Sequence, residues 1–380
     1  MRLAIYCDFT YRLDAGELYA EVPFAVFLGA LGGHCERLTL TGRLDPTPGR
    51  HPYRMDGVEF VPLPYYPSGA QLGSVMRALP AGMWRFWRLL GQVDTVWVLG
   101  PNPPQAVAFA LLAKLRRRRV VLGVRQHLPT LIRHRRRDAR TVRAAAVLLE
   151  GAFRLLARVV PVVVVGPDLA RRYRNSASVH VAIVSLLHES DIVDSDGRDY
   201  DSAELRLLSV GRIDPEKNPL LLADVLAQAL RQDPRWRLEV CGDGPLRSAL
   251  GGRLERLGIA DRAVLHGHLP LDGGLWDLYR ASHALLHVSL TEGVPQVLLE
   301  AFAAGLPVVA TAVGGVPETV AGRGLVIPPA DAPTAATALQ RVVADPELRG
   351  RLTGRATSYA RRHTLHAECD ALASFLDGSR

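Results

Sequence analysis

The sequence predicts an α/β protein made of two Rossmann-like domains facing a cleft. Three observations predict it. Short apolar runs of strand type alternate along the chain with amphipathic or apolar helical stretches, the pattern of parallel sheets with crossover helices. A length of 380 residues suits about two domains. An acidic, polar stretch at 189–202 parts the strand candidates into two sets and reads as a linker. The expected division is a first domain at 1–188, a linker at 189–203, a second domain at 204–355 and a helical segment at 356–380.

In the first set the strand candidates are 3–7, 35–40, 58–62, 95–99, 119–124, 162–165 and 181–185, with helical stretches including 18–31, 76–90 and 104–115 between them. In the second set they are 206–210, 237–241, 264–265, 284–288, 307–310 and 325–327. Residues 347–377 read as mostly helical. No short internal repeat is present. Ligands in such folds bind beyond the carboxyl ends of the strands.

Composition narrows the class. Hydrophobic residues make up 48% and charged residues 22%, ordinary for a soluble globular chain. No run is long and apolar enough to span a membrane; the charge-free stretch at 301–317 is broken by Gly305, Pro307, Gly314 and Gly315. Residues 1–8 carry an acid, Asp8, and no long apolar core, so they read as a first strand rather than a secretion signal. Cys7, Cys35, Cys241 and Cys369 have no paired spacing and read as reduced cysteines of a cytoplasmic protein.

The net charge of +8 is unevenly spread. Arg116, Arg117, Arg118 and Arg119 form one run; Arg133, Arg135, Arg136, Arg137 and Arg140 follow. Such clusters suit nucleic acid, an anionic membrane surface, a phosphorylated substrate or simply a solvated face. No aromatic residue lies between Arg116 and Arg140, which argues against a nucleic-acid partner.

The chemistry concentrates in the second set. The strand at 284–290, polar only at His287 and Ser289, runs into Glu292-Gly293-Val294-Pro295. Pro295 suits a first helical residue and Gly305 the position just past the helix end, which predicts a helix over 295–304. Free N–H groups near 293–297 and the positive end of the helix dipole make an anion site. Glu292 lies before that helix and Glu300 inside it, so the two carboxylates can meet different parts of one extended ligand. Upstream, Gly211-Arg212 and Lys217 put two cations on one loop after a strand. Gly242-Asp243-Gly244 forms a strand–turn–helix junction but lacks the third glycine of a dinucleotide fingerprint. His266 and His268 follow a short strand, and each is as readily structural as functional. Asp194-Ser195-Asp196 is an isolated triplet in the linker and receives no metal role.

From Ser209 through Glu318, the G-R-x-x-x-x-K loop (Gly211, Arg212, Lys217), the glycine turn, the His-Gly-His segment and the E-x7-E pair (Glu292, Glu300) occur in one order. In this the chain resembles the retaining GT-B glycosyltransferases of family 4, glycosyl transferases group 1. The resemblance implies a GT-B fold and transfer of a sugar from a nucleotide-diphosphate sugar to an acceptor hydroxyl. It implies retention of configuration, and neither metal nor cofactor beyond the donor as co-substrate. It assigns Glu300 to the ribose hydroxyls and Glu292 to hydroxyls of the donor sugar. Gly293 and Val294 would bring backbone N–H groups to sugar and phosphate. Gly211, Arg212 and Lys217 would hold the diphosphate, whose charge grows as the glycosidic bond breaks. Gly242 and Gly244 would line the nucleotide pocket, the backbone at His268 would meet the base, and Gly314, Gly315 and Glu318 would shape a loop. Part of the C-terminal helical segment would return to the first domain.

The same resemblance gives the first domain the acceptor. Family members carry paired glycines after strand one, where this chain has only Gly16. His127, just past the strand at 120–124, corresponds to a histidine facing the donor sugar. Its implied role is a hydrogen bond to the sugar or stabilisation of charge at the anomeric carbon. Asn102 and Asp8 are further candidates at the cleft edge. Nothing separates UDP, GDP or dTDP as donor nucleotide, and the acceptor class (lipid-linked, polysaccharide or small molecule) stays open. Two other readings compete. A nucleotide-sugar epimerase shares the fold; a non-enzymatic membrane or nucleic-acid binder would use the Arg clusters but leaves the ordered motifs unexplained.

Overall fold

The structure is a computed structural model describing residues 1–22, 24–67, 71–135, 140–193 and 197–378. It comprises two compact units, Met1–Leu186 with Leu365–Arg380, and Leu187–Thr364. Arg136, Arg137 and the Asp194-Ser195-Asp196 triplet lie outside the described residues, as do the side chains of Arg133 and Arg135.

The first unit holds β1 (Arg2–Asp14), β2 (Glu17–Ala20), β3 (Arg37–Leu44), β4 (Tyr53–Met55), β5 (Glu59–Leu63), β6 (Thr95–Gly100), β7 (Arg119–Val124), β8 (Val162–Val165) and β9 (Val179–Ala182). Seven of these pair in parallel in the order β5-β3-β1-β6-β7-β8-β9. Runs such as Val162–Val165 are continuously apolar because helices cover both faces of the sheet. The chain winds outward from β1 through β3 and β5, then restarts on the other side of β1 with β6. The crevice beyond β1 and β6 is therefore a topological switch point, where doubly wound sheets take ligands.

Two expectations need correction here. The stretch at 18–31 is not one helix: Glu17–Ala20 forms β2, and the helix covers only Phe24–Ala30. Strand one also does not end at residue 7. It shifts register between Tyr6 and Thr10, runs on to Asp14 and turns back into β2. Ala15 and Gly16, at φ +50° and +84°, make the two-residue turn that matches strand twist in a hairpin.

Apolar cores lie on both faces of this sheet. The helix Leu365–Asp377 belongs to one of them, contributing Cys369, Leu372 and Leu376 beside Phe24 and Phe27. Arg119 donates from Nε to the Leu376 carbonyl at 2.8 Å, capping that helix where its dipole is negative. The preceding helix, Pro346–Arg362, stays with the second unit, so the returning segment begins at Leu365 rather than 356.

The second unit holds β10 (Leu205–Val210), β11 (Trp236–Cys241), β12 (Ala263–Gly267), β13 (Ala284–His287), β14 (Val308–Thr311) and β15 (Leu325–Ile327), all parallel in the order β12-β11-β10-β13-β14-β15. Its switch point lies beyond β10 and β13. The stretch expected as a linker is anchored within this unit. Val193 N–H donates to Ala303 O at 2.9 Å and Tyr200 Oη to His283 O at 3.0 Å. Arg198 donates to the carbonyls of Ser282 (2.5 Å), Ala304 (2.7 Å), Tyr279 (3.0 Å) and Gly305 (3.0 Å). Among its described residues, Arg198 and Tyr200 direct their polar groups to backbone carbonyls of the same unit.

Candidate functional site

Loops at the carboxyl ends of the second sheet are joined by backbone hydrogen bonds. After β10, Gly211 N–H donates to Cys241 O and Ile213 N–H to Asp243 O, both at 2.9 Å. Gly242 N–H donates to Gly267 O at 2.7 Å, tying the turn after β11 to the end of β12. Leu290 N–H donates to Glu216 O at 2.9 Å, tying the loop after β13 to the loop after β10. Two glycines permit the closest approaches. A Cβ on Gly242 (φ +142°) would lie 1.9 Å from Gly211 O, and one on Gly314 (φ +53°) 1.8 Å from Glu292 O. Gly315 N–H donates to Gly293 O at 3.1 Å, so the 314–315 turn buttresses the loop that carries Glu292.

Lys217, Glu292 and His287 meet at the β10/β13 switch point. Lys217 Nζ donates to Glu292 Oε1 in a close ion pair, with both side chains largely buried. His287 Nε2 lies 3.1 Å from the same oxygen, without hydrogen-bond alignment. Burial pushes the Glu292 carboxyl up. The His287 imidazole and the Lys217 ammonium outweigh it and hold the pKa at about 2. Glu292 is thus ionised at neutral pH, and Lys217 keeps two N–H donors beyond the one given to it. A cavity beside this group is lined by Gly211, Arg212, Lys217, His287 and Ser289.

Arg212 reaches outward, 64% exposed, with Nη1 at 2.9 Å from Asp214 and Nη2 at 3.6 Å from Glu216. Asp214 also caps the short turn Pro215–Lys217, accepting from Lys217 N–H at 3.2 Å. One acid therefore orients both the guanidinium and the turn that carries the lysine.

Glu300 lies on the helix Gln296–Ala303, where Tyr279 Oη donates to its Oε2 at 2.6 Å. Burial raises the Glu300 pKa, partly offset by that hydrogen bond. Pro295 is extended, at ψ 127°, and precedes the helix instead of opening it; the helical turn starts at Gln296. No side chain caps the start; Leu298 N–H donates to Pro295 O at 3.2 Å, and the N–H groups of Gln296 and Val297 remain for other acceptors. At the other end Gly305, at φ +63°, closes the helix: its N–H donates to Phe302 O at 3.1 Å and Leu306 N–H to Ala301 O at 2.8 Å. Gly293 is exposed and Val294 half-buried in the loop before the helix.

Gly244 follows Gly242 in the turn after β11, and His268 is exposed just past β12. His266 Nε2 instead sits 2.5 Å from buried Glu239, a structural pairing. Arg212, Lys217, Glu292 and Glu300 all lie at the carboxyl-end rim of one sheet. Sequence reasoning missed His287 and Tyr279. His287 was visible as a polar residue in an apolar strand, but its partner is not local; nothing near Tyr279 marks its bond to Glu300.

In the first unit, His127 lies just past β7, with Nδ1 at 2.7 Å from Thr130 Oγ1. Burial lowers its pKa, so the imidazole is neutral at neutral pH. Asn102, after β6, is exposed and lines a cavity with Asp8. Gly16 is at the hairpin tip, and the strand continues to Asp14 where family members have their paired glycines. The arginine run is in part structural. Arg116 stacks over Trp87 at 3.8 Å, Arg118 donates to Leu90 O at 2.7 Å, and Arg119 caps the C-terminal helix. Among the described residues, no helix is long and apolar enough to cross a membrane, and no cluster of three or more His, Cys, Asp or Glu is placed to hold a metal ion.

Comparison with known proteins adds the class. Anabaena HepE in complex with UDP aligns over 100% of both chains with a TM-score of 0.70 at 17% identity. The fold is accordingly GT-B, two parallel-sheet α/β domains. Residues 197–359 match the family model described as Glycosyl transferases group 1. D-inositol 3-phosphate glycosyltransferase of Saccharomonospora viridis is 38% identical over 179 residues, 44% of this chain and 41% of that protein. Exopolysaccharide phosphotransferase of Streptomyces coelicolor is 36% identical over 140 residues, 36% of this chain and 15% of that protein. The chain spans less than half the length of these curated relatives.

Proposed function

We propose that this protein is a glycosyltransferase that moves a sugar from a nucleotide-diphosphate sugar to an acceptor hydroxyl, with retention and without a metal. The observation that carries the reading is the Lys217–Glu292–His287 group at the switch point of the sheet within 197–359. The second unit holds the donor and the first unit the acceptor.

Each part has a chemical task. The two remaining N–H donors of Lys217 meet the donor diphosphate, with Arg212 and the uncapped helix start at Gln296 adding to the same charge. These groups matter most as negative charge grows on the departing diphosphate. Glu292, ionised and fixed by Lys217, accepts from hydroxyls of the donor sugar. Glu300 gives one oxygen to Tyr279 and offers the other to the ribose. The backbone at Gly293 and Val294 borders sugar and phosphate, and the turns at Gly242, Gly244 and His268 border the nucleoside. His127, neutral and oriented by Thr130, serves as a hydrogen-bonding partner of the sugar. The UDP bound by HepE supports a nucleoside diphosphate as the ligand.

The protein works at the cytoplasmic face of a membrane. The helix Arg140–Ala157 and the residues just past it expose Leu148 (73%), Leu155 (63%) and Val159 (63%) near Arg143, Arg154 and Arg158, an apolar face with a basic border.

An assay with UDP-, GDP- and dTDP-sugars against a panel of hydroxyl acceptors tests the activity. The expected result is nucleoside diphosphate release that depends on acceptor, with the sugar recovered on it. Interconversion of the donor sugar with no nucleoside diphosphate released would identify an epimerase instead.

A further inference from the structure

The switch-point cavity of the first unit contains a cation that nothing in the reaction above uses. It encloses about 690 Å³ of space open to solvent and is lined by Asp8, Phe9, Asn102, Arg125 and Gln126, among others. These residues come from β1 and from the segments after β6 and β7. Arg125 is half-buried, and desolvation lowers its pKa. Its guanidinium carbon lies 4.0 Å from the Phe24 ring centroid and 5.2 Å from that of Phe9. The rings hold the cation by cation–π attraction and fix its direction. Among the described residues no carboxylate pairs with it and no acceptor meets its N–H groups. A guanidinium held by two rings and facing an open cavity without a protein acceptor has its planar fork available to an anion.

The acid lining the same cavity is already engaged. Asp8 Oδ1 lies 3.1 Å from Arg43 Nε and accepts from Tyr66 Oη; Gln105 in turn donates to Tyr66 Oη at 2.6 Å. Asp8 is therefore held on the Arg43 side, while Arg125 faces the cavity unpaired. Asn102 and Gln126 add amide donors and acceptors suited to hydroxyl groups.

We infer that this cavity receives an acceptor bearing a phosphate or carboxylate group, which pairs with Arg125 while Asn102, Gln126 and Asp8 hydrogen-bond its hydroxyls. The inference rests on the glycosyltransferase reading for the word acceptor, but the anion site itself does not. It narrows the acceptor to an anionic, polyhydroxylated molecule.

Titration calorimetry with inorganic phosphate and with D-glucuronate on the full chain tests it. The variants are Arg125→Met, which keeps an apolar stem between the phenylalanines, Arg125→Lys, which keeps the charge without the fork, and Lys217→Ala, which alters only the proposed donor side. The inference predicts that at least one of the two anions binds wild type, and which one binds identifies the group. Arg125→Met should weaken binding at the first-unit site by about tenfold or more, Arg125→Lys by less, and Lys217→Ala, which removes only phosphate bound on the donor side, should leave the Arg125-dependent binding in place. Binding unchanged in a folded Arg125→Met, binding lost only in Lys217→Ala, or no binding of either anion to wild type would overturn the inference. If the Arg125-dependent site is found but no nucleotide binds, the anion site stands and the transferase reading falls.

Discussion

Burial opposes a charge on Glu292, yet its carboxyl titrates near 2 because His287 and Lys217 outweigh that cost. The sign of the consequence follows. A carboxylate whose folded pKa lies below its unfolded value of 4.5 contributes stability that is present above pH 4.5 and is lost as pH falls toward 2. The shift corresponds to about 3 kcal/mol at most. Glu292→Gln should flatten the loss of stability between pH 4.5 and 2 in urea unfolding curves; an unaltered acid limb would mean the ion pair is not formed in solution. Tyr279 acts on Glu300 through one hydrogen bond, so Tyr279→Phe leaves a buried carboxylate with one partner fewer. That variant should lower nucleotide affinity about five- to tenfold while leaving the fold intact. Unchanged affinity in a binding titration would remove Tyr279 from the site. These partners were not legible in the sequence. Glu292 and Glu300 stand out by spacing and loop context, whereas Lys217, 75 positions away, and Tyr279, 21 positions away, meet them only through the crossovers.

The loops and the helix start depend on contacts that no single residue carries. Gly314 leaves no room for a side chain against Glu292 O, so Gly314→Ala should displace the Glu292 loop and cost about 1–3 kcal/mol or more. Loss of nucleotide binding with the proposed first-unit anion site retained is the expected pattern; wild-type nucleotide affinity would contradict the buttressing role. At the far end of the Gln296–Ala303 helix, Arg198 satisfies the carbonyls of Ala304 and Gly305. Arg198→Ala should lower the urea midpoint of the second unit by an amount equal to about 3 kcal/mol, and an unchanged midpoint would show that water replaces the arginine. The parallel strands were legible because runs such as Val162–Val165 and Ala284–His287 are apolar throughout. The short antiparallel strands β2 and β4 were not. Their four and three residues are partly exposed and carry too little pattern to mark a strand, and β2 runs on within a few residues into the helix Phe24–Ala30. Residues 189–202 looked like a linker because the groups that fix Arg198 and Tyr200 are carbonyls from 279–305, invisible in local composition.

For the molecule as a whole, both units place their candidate residues beyond the carboxyl ends of a parallel sheet, at the point where strand order reverses. The fold class followed from alternating elements, the chain length and the division of the strands into two sets. The functional reading needed the ordered motifs as well, and these describe the donor side far better than the acceptor side. The physical reason is that the residues proposed for the donor side lie on loops joined by backbone hydrogen bonds and glycines, which leave a recognisable spacing. The first-unit cavity depends on side chains such as Arg125 and Asp8, whose significance lies in which partners they have and lack. The central claim is that the second unit binds a nucleoside diphosphate through Lys217 and Glu300. Its most direct test is a calorimetric titration of UDP, GDP and dTDP into wild type, Lys217→Ala and Glu300→Ala. At least one nucleotide should bind wild type, with affinity reduced about tenfold or more in each variant. Equal affinity in all three proteins, or no binding of any of the three nucleotides to wild type, would contradict the claim.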